Sequence, residues 1–515
     1  MKKRSRTQNT IINTGAGFVT RIANMIARFM LQTVLIHTLG IQYTGVSGLF
    51  TSILTILSLA ELGISNAIAY ELYKPLVDRD EQRIAALMNF YKSAYRLVAL
   101  IVLVCGVLIV PFLDIFVKEV PDISESITMI YFMFVLKTVF SYLLIYKSTL
   151  LVANQQNYIV SGIQAIVCLI RTIVECIVLF ITHQYITYLI IEIVGTIAQN
   201  LWISKIAEKE HPTLKENSKL KLTKEETGKL LKGIKGLAMY KASFALGNGV
   251  DNIIISSVIN TSAVGLVSNY TLIRKELEML IRQFYNAVIP SVGNLSVTAT
   301  DEKQHEVFSN LLFLDFWISC FCSVSYFVII QPFISLWLGD KYLLSITVAA
   351  ALAVDFYLSC MLNPISSFRT ANGVFIQGQY RPLVMVIINV VLSIIFGKLW
   401  GIPGVFIATI TARLLTQWYD PFLLYKLVFK QSPRKFYFHY YSYLLLTTLC
   451  GAFVYFITDY IHVENIILNL AIRAVLCILI PNAMIIILYH KKSEFKYCIS
   501  QTKKIRSKVV KKFKR

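Results

Sequence analysis

Long apolar runs broken by short polar segments recur from one end of the chain to the other. A helix needs roughly 20 mostly apolar residues to cross a bilayer. Fourteen runs meet that length: 10–38, 45–72, 87–116, 127–152, 159–181, 187–206, 236–259, 264–290, 307–338, 342–368, 382–400, 404–428, 436–460 and 466–489. The eighth, VGLVSNYTLIRKELEMLIRQFYNAVIP, breaks the apolar rule, because its middle holds Arg274, Lys275, Glu276, Glu278 and Arg282. Each charge at mid-bilayer costs roughly 2.5–3.5 kcal/mol, so five of them cannot face lipid. At a helical period Tyr270, Arg274, Glu278 and Arg282 share one stripe bordered by Lys275, and the rest of the surface is apolar. The pattern predicts a membrane helix with one face on a polar cavity. A soluble or membrane-surface amphipathic helix has the same pattern but does not suit the apolar spans on both sides.

Other spans also carry polar residues. Arg21, Asn24 and Arg28 share a face of the first span. Arg21 is near enough to the interface to snorkel, whereas Arg28 is deep and is a cavity candidate. Glu61, with Ser65 one turn on, is a candidate proton site or partner for Arg28; a neutral, hydrogen-bonded acid is the competing reading. The seventh span holds Asn248, Asp251 and Asn252. Arg171 and Glu175 form an i,i+4 pair. For Lys137, Arg171, Asp315, Asp355 and Arg413 two arrangements fit the sequence: lining a cavity, or pairing with a neighbour.

Composition agrees with the pattern. The 515 residues are 56% hydrophobic and 15% charged, against about 25% charged in soluble proteins. The net charge of +21 sits in loops and tails, with eleven Lys or Arg between Lys491 and Arg515. This distribution argues against nucleic-acid binding and for a cytoplasmic membrane face next to anionic lipid. The segments 74–83, 205–235 and 426–435 and the tail all carry several Lys or Arg and fall on one side of an even number of spans, which predicts a multi-pass cell-membrane protein with both termini cytoplasmic. Eight of the nine cysteines lie in apolar runs, so no structural disulfide is expected.

Catalytic and cofactor motifs are missing: there is no G-x-x-x-x-G-K-[ST], H-E-x-x-H or G-x-S-x-G. Asp78-x-Asp80 lies in a charged loop and reads as solvated. No cofactor, metal site or enzymatic activity is expected.

The two halves show a weak repeat at a shift of about 220 residues, in the manner of transporter lobes. YTGVSGL at Tyr43–Leu49 meets NTSAVGL at Asn260–Leu266, and Ala153-Asn154 meets Ala371-Asn372. The repeat predicts parallel six-helix lobes at 1–206 and 236–430, a cytoplasmic linker at 207–235, two further helices at 431–490 and a basic tail at 491–515. Arginines keep their charge when desolvated and bind phosphate in a planar fork. Arg28, Arg274, Lys275 and Arg282, with Asn248, are therefore the candidate substrate contacts for a phosphate or pyrophosphate group.

The segments NTGAGFVTRI, LGIQYTGVSGLF, ELGISNAIAYELYKPL and NGVDNIIISSVINTSAVGLVSNY resemble bacterial polysaccharide flippases of the Wzx type. These belong to the multidrug/oligosaccharidyl-lipid/polysaccharide exporter superfamily. The resemblance implies a V-shaped, MATE-like pair of lobes. It also implies flipping of a polyprenyl-pyrophosphate-linked oligosaccharide to the outer leaflet by alternating access, for capsule or cell-surface polysaccharide. Arg28 and Arg274 would contact the pyrophosphate, and Glu61 and Asp251 are candidate coupling sites for H+ or Na+. Membrane lipids, a polysaccharide polymerase and glycosyltransferases are the partners implied. Two features depart from the family picture: drug exporters of the superfamily have twelve spans as a rule, and the eighth span carries acids as well as bases. A membrane-embedded polysaccharide polymerase or ligase would need a large external loop, which the sequence lacks. An ion-coupled drug exporter of the same fold would favour a more acidic cavity.

Overall fold

The computed structural model describes the backbone of all residues except 1–5, 62–63, 120, 213–219, 229, 232–248, 375–376, 462 and 514–515; side chains 6–14, 60, 66–67, 144 and 504–515 are also left undescribed. The described residues are all-α. The helices are α1 (Arg6–Thr38), α2 (Ile41–Leu57), α3 (Ile64–Asp78), α4 (Glu81–Ile109), α5 (Ile127–Ala153), α6 (Asn157–Thr182), α7 (Tyr185–Glu210), α8 (Gly249–Val258), α9 (Thr261–Thr298), α10 (Asp301–Leu338), α11 (Ile346–Cys360), α12 (Asn363–Ala371), α13 (Arg381–Trp400), α14 (Ile402–Gln417), α15 (Arg434–Tyr460), α16 (Ile466–Tyr489) and α17 (Ser493–Phe513). Polar residues start several of them. Asp80 accepts from the Arg83 amide at 2.9 Å, and Asn465 accepts from Ile467 and Leu468 at 3.0 and 3.1 Å, filling donors that a helix start leaves open.

Among the described residues nine helical segments are long and apolar enough to cross a membrane, and α5, bent by 41° near residue 144, makes a tenth. Their outer faces are apolar: Ile170, Ile173, Ile177 and Phe180 of α6 and Phe453 and Phe456 of α15 are all exposed. On a surface of this kind water is the wrong solvent, and the chain is a multi-pass membrane protein.

The four remaining expected spans differ from simple apolar helices. The second is broken: α2 ends at Leu57, a 3₁₀ turn covers Ser58–Glu61, and α3 starts at Ile64. The break falls where the polar residues Ser58 and Glu61 need partners that a straight lipid-facing helix would not supply. Most of the seventh, with Asn248, lies outside the described residues. The eighth is one continuous helix of 38 residues running through Pro290. At 1.5 Å per residue it is about 57 Å long, well beyond a hydrocarbon core of about 30 Å. The twelfth is broken, as α14 passes through Trp418 into a short α-helical turn at Tyr419–Leu424 and a π-helical turn at Tyr425–Phe429.

The chain divides into two compact units, Met1–Gly265 and Leu266–Arg515. In the first, α4, α5, α6 and α7 pack around tyrosines and branched aliphatics, with Tyr91, Tyr95, Tyr131 and Tyr185 among the most buried side chains. Gly45 of α2 lies against the Thr261 carbonyl, where any Cβ would overlap it, and Gly265 lies as tightly on Ile41. Both glycines come from the repeated motif. In the second unit α10 is the hub, packing on α11, α15, α16 and α17. Phe316 stacks on Tyr443 with ring centres 4.0 Å apart. Phe495 of α17 stacks on Trp317 at 5.3 Å, so the basic tail starts as a helix with its apolar side in the core.

Candidate functional site

Mid-membrane charges are tolerable only where another group answers them. In the first unit the answers come in pairs. Lys137 of α5 meets Glu192 of α7 at 2.5 Å. Arg171 meets Glu175 within α6 at 3.3 Å, and Gly195 of α7 is bare because a Cβ there would strike the Arg171 side chain. Lys147 of α5 pairs with Glu208 of α7 and donates to Ser204 at 2.7 Å. Glu61 sits in a cage of hydroxyls: Tyr95 donates to it at 2.6 Å, Ser65 is 2.7 Å from Tyr95, and Tyr91 joins Tyr95 to Thr149. Arg28 lies on the exposed side of α1, and Asp251 is half-buried on α8. The neighbouring Asn252 donates to Ser52 at 3.0 Å.

The second unit is organised differently, in Arg–Asp–Arg triads. Asp355 of α11 is held by Arg274 of α9 through Oδ2 and by Arg413 of α14 at 2.5 Å through Oδ1. Asp420 of the Tyr419–Leu424 turn is held by Arg369 of α12 through Oδ1 and by Arg381 of α13 at 2.9 Å through Oδ2. Arg369 also donates to the Val374 carbonyl at 3.0 Å, and a Cβ on Gly378 would overlap its guanidinium. Within each triad one carboxylate faces two guanidiniums, and Glu278, one turn along α9, is a second acid acting on Arg274. Asp315 of α10 is fully buried; Tyr285 and Asn363 are the polar groups beside it, and no ion pair to it is found among the described residues.

The expected stripe on α9 does not stay in one environment. Tyr270 is fully buried, donating to Gln331 at 2.9 Å and accepting from the Leu344 amide at 3.0 Å. Arg274 is mostly buried in its triad, Glu278 is half-buried, and Lys275 and Arg282 are exposed. Four residues advance a helix by 400°, so a stripe spaced by fours drifts about 40° per step off one face. Sequence reasoning singled out Arg274, Asp355 and Arg413 but not their union, because Arg274 and Asp355 are 81 residues apart. Lys147, Glu192, Arg369 and Arg381 were missed. For the last two, the basic residues flanking the turn after Ala371-Asn372 were the available signal.

No protein-family model matches the chain, and no curated protein does. Solved structures do. A structure of the lipid II flippase MurJ in an inward closed conformation superposes with a TM-score of 0.68 at 17% identity, over 93% of this chain and 99% of that one. An inward-facing multidrug resistance MATE family transporter of the MOP superfamily gives 0.61 at 10% identity, over 80% and 98%. The MATE multidrug transporter DinF-BH in complex with R6G gives 0.56 at 15% identity, over 84% and 100%. The chain thus has the all-α membrane fold shared by the MurJ flippase and the MATE transporters.

Proposed function

We propose that this protein is a flippase of the MOP superfamily that moves a polyprenyl-pyrophosphate-linked oligosaccharide from the inner to the outer leaflet by alternating access, supplying cell-surface polysaccharide assembly. The observation that carries the reading is the pair of guanidiniums, Arg274 and Arg413, gathered on the one buried carboxylate of Asp355, in a fold also found in a lipid flippase and in drug transporters. Two guanidiniums side by side suit pyrophosphate, whereas a site for cationic drugs calls for acids without such arginines. In this reading Arg28, Arg274, Lys275, Arg282 and Asn248 contact the substrate. Glu61 and Asp251 are the coupling sites for H+ or Na+. The two repeats act as rocking lobes, with both termini cytoplasmic. A polymerase and glycosyltransferases act before and after it on the same lipid-linked glycan.

The test is flipping in vesicles. Full-length protein and Arg274→Gln are reconstituted with a fluorescent polyprenyl-pyrophosphate oligosaccharide, and arrival in the far leaflet is timed. Movement by the wild type and its loss in a monodisperse Arg274→Gln protein support the reading. Equal movement by both removes Arg274 from the site. Extrusion of a cationic dye without glycolipid movement replaces the reading with a drug exporter.

A further inference from the structure

In the Asp355 triad each arginine is held by a single contact. Arg274 reaches Asp355 through Nη1 alone, and its buried Nε has no hydrogen-bond partner. Arg413 lies against the other oxygen through Nε, 2.5 Å away, as an ion pair without hydrogen-bond geometry. Neither makes the two-pronged fork that gives an Arg–carboxylate pair its full strength. Access is graded as well: the Asp355 side chain is 3% exposed, against 12% for Arg274 and 17% for Arg413.

A lone arginine locked to a lone buried aspartate could not leave it without stranding a charge, which is the costly event in a buried pair. With two arginines on one aspartate, either can go while the other still neutralises the carboxylate. We infer that Asp355 is an exchange counter-ion: it holds Arg274 when the site is unliganded and yields it to an incoming diphosphate, while Arg413 stays behind to neutralise the carboxylate. A diphosphate offers more charge than one carboxylate oxygen and can accept the complete guanidinium fork. Every buried charge is paired before and after the exchange. Asp355 and Arg413 are thus positioning residues that set how tightly the pyrophosphate is bound. The inference rests on the flippase reading and adds two residues to its site.

The experiment measures affinity for a polyprenyl pyrophosphate in the full-length protein in nanodiscs. Removing the competitor in Asp355→Asn is expected to tighten binding about tenfold, the value of one charge-assisted hydrogen bond. Arg413→Gln leaves Asp355 dependent on Arg274 and is expected to weaken binding by a similar factor. The double variant Asp355→Asn/Arg413→Gln separates exchange from a plain field effect, because it leaves the local net charge unchanged. Exchange predicts binding as tight as in Asp355→Asn, since the carboxylate in contact with Arg274 is gone in both and Glu278, the other acid acting on Arg274, is the same in both. A field effect predicts wild-type affinity. The double variant buries less unpaired charge than Asp355→Asn and carries the test if the single variant does not fold. Wild-type binding with no gain in the double variant overturns exchange alone. A wild type that binds no polyprenyl pyrophosphate overturns the flippase reading and exchange together.

Discussion

Removing the Asp420 carboxylate should do more damage than removing either of its arginines. Asp420 is buried between Arg369 and Arg381, which belong to α12 and α13, so it ties three segments together. Two unit charges about 4 Å apart interact by about 4 kcal/mol at an effective dielectric of 20. Asp420→Asn loses two such attractions and leaves two guanidiniums facing each other, with part of the loss returned because a charge no longer has to be desolvated. Breaking buried pairs by removing one partner costs about 3–5 kcal/mol, and Asp420→Asn should fall at the upper end of that range. Arg381→Gln keeps the Arg369–Asp420 pair and should cost about 1.5–3 kcal/mol, the scale of one contact to a charged group. The double variant Asp420→Asn/Arg381→Gln should be more stable than Asp420→Asn alone, because the second change removes the repulsion that the first one created. Thermal unfolding in detergent, followed by the loss of monodisperse protein, ranks the three variants. If Asp420→Asn melts with the wild type, or if the two changes simply add, the triad does not carry the load assigned to it.

Gly45→Ala puts a Cβ into the Thr261 carbonyl, which is backbone and cannot swing aside; a loss of about 1–3 kcal/mol is expected from overpacking, read in the same melting assay. The control Gly162→Ala adds a Cβ in open space and should leave the melting temperature close to that of the wild type. Outside the membrane, Glu226 accepts from the Thr223 amide and pairs with Arg83, and these contacts, the amide first, hold its carboxyl down to about 2. A lowered acid stabilises its fold above the ordinary value of 4.5 and loses that support as pH falls toward 2. Pepsin should therefore cut near 220–228 more slowly in the wild type than in Glu226→Gln at pH 4.5, with the difference vanishing by pH 2.

The solvent and the class of fold are legible in the sequence. Apolar runs of membrane length leave the backbone no option but helix, because no water is present to satisfy its amides and carbonyls. The sequence also singled out the charged helix α9, since five charges in one span cannot face lipid. What it could not supply were partners. Arg274 and Asp355, Lys137 and Glu192, and Arg369 and Asp420 lie far apart along the chain, and each buried charge is compatible with several mates until the helices are placed. Nor could it locate the break at Ser58–Glu61, where a polar pair overrides an apolar run that reads as one span. Helix formation in a membrane is a local demand of each segment, whereas the pairing of charges depends on which faces meet, and only the tertiary structure decided that.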